Sequence, residues 1–157
     1  MEFTMELTIA FLAFLAVVKG VKFVPQQQVW IVERMGRYRA SMQAGLNFLI
    51  PFIDNISYRH SLKEEAVDIP SQTAITKDNV TLIIDGILYL KITDPKQASY
   101  GVGDARYAIT QMAQTTMRSE LGKMTLDRTF LERDNLNVSI VQSINEASVV
   151  WGIQCLR

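Results

Sequence analysis

The chain has 157 residues, and 16 basic residues balance 16 acidic ones, so its formal net charge is zero. A chain with no positive excess and no long Lys/Arg run is a poor candidate for binding nucleic acid. It contains one histidine and one cysteine, which excludes an internal disulfide and a zinc site built from nitrogen and sulfur ligands. The length suits one domain of ordinary size together with an anchor.

A short apolar segment lies near the start of the chain. Residues 7–18 carry no charge, Glu2 and Glu6 precede them, and Lys19 and Lys22 follow. A secretory signal peptide would need a basic first region and a cleavage site of small residues, and a mitochondrial presequence would be rich in arginine. We therefore predict a retained membrane anchor over residues 1–24. The side chains expected to face lipid are Leu7, Ile9, Phe11, Leu12, Phe14, Leu15, Val17 and Val18.

The length of this segment leaves its mode of attachment open. Residues 7–18 alone are short for a hydrocarbon core about 30 Å thick, whereas residues 3–24 can cross if Lys19 and Lys22 extend to the interface. A single span is favoured, and an in-plane segment and a buried core helix are the alternatives. Because the basic residues follow the segment, the rest of the chain is expected to lie in the cytoplasm.

The first part of the remaining chain is predicted to be β-rich. Gly36 marks a turn, and the apolar residues 45–53, which contain a proline, suit an edge strand or a loop. A strand is predicted over residues 65–75. The clearest strand covers residues 80–92, where apolar residues at alternate positions define a face directed toward the core.

The pattern then changes to helical spacing. Asp94 and Asp104 are expected to cap two helices, and an amphipathic stripe of the second runs from Ala105 to Met124. Another helix is predicted from about Asp127 to Val150, and a strand from Ile153 to Leu156. The apolar stripe predicted for the third helix comprises Phe130, Leu131, Val138, Val141, Ile144, Ala147 and Trp151. This order of elements predicts an α+β fold.

The residues that could support catalysis are few. His60 could be paired with Ser57 or Ser61 in a small membrane-associated hydrolase, but no Gly-x-Ser-x-Gly motif is present, and neighbouring strand residues point to opposite faces. No glycine-rich phosphate loop is found. We therefore predict no catalytic, cofactor-binding or metal-binding residues, and a protein that is not an enzyme. Cys155 is interpreted as a small buried hydrophobic residue.

One apolar stretch could contact a membrane directly. Phe48, Leu49, Ile50 and Phe52 could enter lipid beside the anchor, and a buried strand or turn is an equal alternative because an apolar run alone cannot distinguish the two. Trp30 and nearby Tyr38 could lie at the level of the lipid headgroups. Trp30 is as easily explained as a core residue.

Several motifs, in order, resemble the SPFH (band 7; stomatin/prohibitin/flotillin) domain, most closely the stomatin-like paraslipin branch. The resemblance covers about residues 23–157 and places the domain at residues 25–157. The segments that carry it are Val24–Gln28, Val32–Tyr38, Gly45–Pro51, Asp68–Gln72, Thr76–Thr81, Asp85–Tyr89, Asp94–Pro95, Gln114–Gly122 and Trp151–Ile153.

The resemblance implies a non-enzymatic scaffold that forms homo-oligomers on membrane lipids, organises membrane microdomains and modulates membrane proteases or other complexes. It also implies an NfeD-type membrane protein as a partner and, without a presequence, a bacterial inner membrane. In the family a long coiled coil follows the domain, whereas this chain ends at Arg157 in the expected last strand, so a fragment or truncated product is expected. The alternative function is a lipid- or partner-binding membrane module without self-assembly.

Overall fold

A computed structural model describes residues 18–157, which form two compact units. Unit 1 ends at Leu62, and unit 2 runs from Lys63 to Arg157. The anchor residues predicted between Leu7 and Val17 lie outside the described residues, and Val18 is exposed. The predicted anchor does not extend to residue 24, because Val21–Val24 form a strand and Val24 is buried in the core of unit 1. Within residues 18–157, no helix is both long enough and apolar enough to cross a membrane.

Unit 1 consists of antiparallel strands in two small sheets. The first sheet pairs β1 (Val21–Val24) with β4 (Gly45–Phe48). The second has the order β3 (Arg37–Met42), β2 (Gln28–Arg34), β5 (Asp54–Ser61). The buried core of the unit contains Val24, Val32, Met42 and Leu49, with Trp30 and Ile56 packed against it.

The turn predicted at Gly36 is confirmed. Met35 and Gly36 connect β2 to β3 and have φ values of 51° and 77°. Positive φ at both central residues is the requirement of the tight turn that matches the twist of a two-stranded hairpin. Met35 is exposed at the tip of this hairpin.

Unit 2 is a three-stranded antiparallel sheet with helices packed on one face. Its strand order is β6 (Glu65–Ile75), β7 (Thr81–Ile92), β8 (Ile153–Cys155). The helices are α1 (Pro95–Tyr100), α2 (Ala105–Gly122), α3 (Leu126–Leu131) and α4 (Arg133–Ser148), followed by a 3-10 turn, Val149–Trp151. The largest core cluster contains Ile69, Leu88, Leu90, Ala98, Ile109, Ala113, Ile144, Ile153 and Cys155.

The predicted α+β fold is confirmed, and so are both predicted helix caps. The Asp94 carboxylate accepts hydrogen bonds from the backbone N–H groups of Lys96 (2.9 Å) and Gln97 (3.2 Å). The Asp104 carboxylate accepts one from the backbone N–H of Tyr107 (3.0 Å). Each satisfies backbone donors that the first turn of a helix leaves without a partner.

The prediction of one helix from Asp127 to Val150 is wrong. The helix is interrupted at Glu132, which has φ −110° and ψ 30°, and a second helix begins there. Because the chain changes direction, Phe130 and Leu131 do not continue the buried stripe and are exposed. Val138 is also exposed, whereas Ile144 is fully buried as predicted.

Candidate membrane-contact surface

The ribbon formed by β1 and β4 has an apolar face that is exposed to solvent. Phe23 lies opposite Leu46, and Val21 lies opposite Phe48. Opposed residues of an antiparallel pair share one face of the sheet, so these four side chains lie together. Phe23, Leu46 and Phe48 are exposed, whereas Val24, which points to the other face, is buried in the core.

The turn after β4 adds a second group of exposed apolar side chains. Ile50 and Ile53 are exposed, and Phe52 is 95% exposed with φ at 72°. The left-handed region is unfavourable for a bulky side chain. The turn therefore holds an exposed apolar side chain in a backbone conformation that costs about 1–3 kcal/mol. Phe23, Leu46, Phe48, Ile50 and Phe52 are referred to below as the apolar surface.

Asp54 fixes the turn that presents Phe52. Its carboxylate accepts hydrogen bonds from the backbone N–H of Ile50 (3.0 Å) and from the Arg34 guanidinium (2.7 and 3.1 Å). The backbone N–H of Asp54 donates to the Ile50 carbonyl (3.1 Å). The Asp54 side chain is buried, and the hydrogen bonds from Arg34 hold the pKa of its carboxyl below its usual value. The turn is therefore closed by an ionised carboxylate.

The strand register brings several segments to the same end of unit 1. Arg34 is paired with Arg37 on one side and with Asp54 on the other, so the Met35–Gly36 tip and Phe52 lie at one end of the three-stranded sheet. The backbone N–H of Leu49 donates to the Gly20 carbonyl (2.7 Å). This contact brings residues 18–20, which belong to the predicted anchor segment, close to the same turn.

The structure exposes three of the four side chains that the sequence predicted for membrane contact. Phe48, Ile50 and Phe52 belong to the apolar surface. Leu49 is 7% exposed and packs in the core, so its predicted surface position is corrected. Alternation along the strand turns it inward. The sequence did not identify Phe23 and Leu46 as membrane-contact residues, because the local pattern does not show which face of a strand remains exposed to solvent.

His60 is not part of the apolar surface. Its ring is stacked on that of Tyr58, with centroids 6.3 Å apart and planes 10° apart. Burial holds its pKa below the usual value. Ser61 follows on the opposite strand face, and Ser57 lies where the β2–β5 register shifts. Over residues 18–157, no three His, Cys, Asp or Glu side chains are grouped so that they could bind a metal.

Trp30 and Cys155 each contribute to the hydrophobic core of their own unit. Trp30 packs against the core of unit 1, and the Arg59 guanidinium lies 4.5 Å from the centroid of its ring, a distance typical of a cation–π contact. Cys155 is buried in unit 2, as predicted. Burial raises the pKa of its thiol to about 11. Because the thiolate is the reactive form, this cysteine is expected to be inert at neutral pH.

The fold and this surface define an α+β domain of two small units, one of which exposes an apolar surface. Residues 22–157 match the family model of the SPFH domain / Band 7 family. Since this match covers most of the chain, the protein belongs to the SPFH domain / Band 7 family, as the sequence motifs predicted.

The similar proteins include stomatin-like proteins. The chain is 61% identical over 137 residues to "Stomatin-like protein 2, mitochondrial" of Homo sapiens, which covers 87% of this chain and 38% of the relative. It is 57% identical to "Stomatin-like protein stl-1" of Caenorhabditis elegans, over 87% of this chain and 42% of the relative. A Mycobacterium bovis protein is 37% identical over 92% of this chain and 38% of the relative. The chain therefore spans about two fifths of the length of these relatives.

Proposed function

We propose that the protein is a membrane-associated scaffold whose apolar surface in unit 1 enters the lipid. The observation that carries this proposal is Phe52, which is exposed in an unfavourable backbone conformation and held there by the ion pair of the buried Asp54 carboxylate with the partly exposed Arg34 guanidinium. Full burial of a phenylalanine side chain contributes about 1.5–3 kcal/mol. Phe48 and Phe52 together would therefore add substantially to membrane affinity.

The surroundings of this surface support contact with lipid. Lys19 is exposed just before β1, and its long side chain can extend to headgroups while the apolar side chains lie deeper. The apolar residues that precede Val18 would provide a second attachment to the membrane. Membrane lipids are therefore the first partner that we propose.

Vesicle binding of a chain that begins at Val18 tests this contact without residues 1–17, which include most of the predicted anchor. Phe48→Ser and Phe52→Ser are each expected to weaken binding by about tenfold, because each removes apolar area from the lipid. Phe130→Ser is the matched control, since Phe130 is also exposed but lies in unit 2, and it should change binding by less than about twofold. Equal effects of all three substitutions in flotation assays would contradict the proposed surface.

We further propose that the protein works by self-assembly rather than by catalysis. Ile75, Ile83 and Ile87 are exposed. All three lie on the face of the unit 2 sheet opposite to Leu88 and Leu90, which pack under the helices. A group of exposed apolar side chains on a sheet face is typical of a protein interface. Family membership supports a scaffold that organises membrane microdomains or modulates membrane proteases, with an NfeD-type membrane protein as a possible class of partner.

The identity of the membrane with which the protein associates is also a proposal. We propose a bacterial inner membrane, with the domain in the cytoplasm. The relatives described above include proteins whose names state that they are mitochondrial, at 61% identity, and a mycobacterial protein at 37% identity. These comparisons support a stomatin-like protein at a membrane and leave the bacterial assignment as a proposal.

Light scattering of the full chain in mild detergent tests self-assembly. We expect a discrete species larger than the 17.8 kDa monomer. Ile83→Thr should reduce its mass, because the substitution keeps the branched β-carbon but places a hydroxyl in the proposed interface. Val150→Thr is the control, since Val150 is exposed outside the sheet. A monomer at all concentrations would favour the alternative, a lipid- or partner-binding module without self-assembly.

A further inference from the structure

Three arginines lie near one carboxylate at the Met35–Gly36 end of unit 1. Arg34 donates hydrogen bonds to the two Asp54 carboxylate oxygens at 2.7 and 3.1 Å, and the Arg39 guanidinium is 3.8 Å from Asp54 Oδ2. Arg37 is paired with Arg34 across the hairpin. Opposed residues of an antiparallel pair share one face of the sheet, so the Arg37 side chain leaves the sheet on the face that also carries Arg34.

The positive charges in this group outnumber the negative ones. Asp54 supplies one carboxylate, which can neutralise only one of the three guanidinium groups. Glu33 lies on the opposite face from Arg34, because neighbouring residues of a strand point to opposite faces. Among residues 18–157, Arg37 forms no ion pair. Like charges directly opposite each other on two strands are destabilising, so the pairing of Arg34 with Arg37 has a cost that a bound anion would offset.

Two of the three guanidinium groups are accessible and turned toward the same region. Arg37 is exposed, and the side chain of Arg39 is 43% exposed. The register of β2 with β3 shifts between Val32 and Glu33, which leaves Arg39 as an extra residue of β3. A bulge of this kind changes the direction of a side chain, and here it accompanies the approach of Arg39 to Asp54.

The arginines border the apolar surface. The carboxylate of Asp54 that they surround also accepts a hydrogen bond from the backbone N–H of Ile50 (3.0 Å), in the turn that presents Phe52. When Phe52 enters lipid, a guanidinium group next to this turn comes to the level of the headgroups, where basic side chains meet lipid phosphates. The position of the arginines therefore favours a phosphate as the anion.

We propose that Arg37 and Arg39 bind one phosphate group, with Arg34 adding to the positive charge around it. A guanidinium group is planar and permanently charged, and its N–H donors match two oxygens of a phosphate. The bound phosphate offsets the repulsion between Arg34 and Arg37. The site rests on the proposed lipid contact only for the source of the phosphate, which we expect to be the headgroup of an anionic phospholipid rather than a soluble phosphate.

NMR of the arginine Nε–H groups tests the site in the full chain, held in a non-ionic detergent. The probes are dihexanoylphosphatidylglycerol and inorganic phosphate. Both should shift the signals of Arg37 and Arg39 in a saturable manner, and the lipid should bind at least about tenfold more tightly, because its acyl chains also contact the apolar surface. Arg37→Gln and Arg39→Gln should each weaken binding of both probes about tenfold. Arg133→Gln, an exposed position in unit 2, is the control and should change it less than about twofold.

A further variant separates this site from the lipid contact. Phe52→Ser should weaken binding of the lipid and leave that of inorganic phosphate unchanged, so the site can stand if the lipid contact fails. Equal affinities for the two probes would retain the phosphate site and overturn the lipid source. The proposal is overturned if neither probe shifts the Arg37 and Arg39 signals, or if their glutamine variants act no more strongly than Arg133→Gln. It is also overturned if hexaglutamate competes at a lower concentration than either probe, because an acidic protein segment would then be the ligand.

Discussion

Replacing Asp54 with alanine is expected to lower the free energy of unfolding of unit 1 by about 3 kcal/mol. The substitution removes a buried carboxylate and leaves the Arg34 guanidinium and the Ile50 N–H without their partner. The Arg34 side chain is 36% exposed, so the cost is that of lost hydrogen bonds to a buried charged group, up to about 3 kcal/mol. Hydrogen exchange of the β2 amides measures this loss. Arg39→Ala is the control, because Arg39 is partly exposed and 3.8 Å from Asp54, and it should cost less than about 1 kcal/mol.

The same pair predicts how the stability of unit 1 depends on pH. The pKa of Asp54 is lower in the folded than in the unfolded chain, where an aspartate titrates near about 3.9. Its contribution is therefore fully present above that value and is lost as the pH falls through the lower folded pKa. The difference between wild type and Asp54→Asn should be constant from about pH 5 to 8. A difference that persists unchanged at pH 2 would contradict this assignment.

Replacing Gly152 with alanine is expected to destabilise unit 2 by at least about 3 kcal/mol. A Cβ at this position would lie 2.4 Å from the Asp94 carbonyl oxygen, and the φ of Gly152 is 64°. The Gly152 carbonyl also accepts hydrogen bonds from the backbone N–H groups of Thr93 (2.9 Å) and Asp94 (3.0 Å), so the backbone cannot move away cheaply. Left-handed strain and overpacking each cost about 1–3 kcal/mol.

Gly36→Ala separates these two costs. Gly36 also has a positive φ, 77°, but a Cβ there would have no atom within 4 Å. Only the conformational cost of about 1–2 kcal/mol should remain. The two variants are compared by denaturant unfolding and by hydrogen exchange within each unit. Equal losses would show that the contact with Asp94 contributes nothing.

Several residues of the sequence motifs make contacts that stabilise the fold. Gly152 of the Trp-Gly-Ile motif packs on Asp94 of the Asp-Pro motif. In the segment Thr76–Thr81, the Asp78 carboxylate accepts a hydrogen bond from the backbone N–H of Leu126 (3.2 Å) at the start of α3. The α3 cap residue, Thr125, makes no such bond with its side chain. These motifs therefore position the helices and strands of unit 2 relative to one another.

Local patterns were sufficient to predict much of the fold. The alternation over residues 80–92 predicted β7 and its buried face, and Asp94 and Asp104 predicted the helix starts, because each depends on residues close in sequence. The break at Glu132 was not predictable in this way. Helical spacing continues across it, and only packing determines that Phe130 and Leu131 leave the core.

The apolar surface could be predicted only in part for a similar reason. The stretch 48–53 is apolar enough to draw attention, but β1 and β4 alternate in the same way as strands that cover a core. Only the pairing of Phe23 with Leu46, and the side of the ribbon taken by Val24, shows that the apolar face is uncovered. Tertiary packing sets that choice, so no local rule could have identified it.

We expect Phe52 to lie in lipid when the chain is bound to a membrane, and a fluorescent label at this position can detect this contact. Phe52→Cys and the control Phe130→Cys are labelled with an environment-sensitive fluorophore and reconstituted as full chains into vesicles. The native Cys155 is buried and its thiol pKa is about 11, so it should not compete for the label. Brominated lipids should quench the label at position 52 and leave that at position 130 unchanged. Unquenched emission at position 52 in membrane-bound protein would contradict the proposed lipid contact of Phe52.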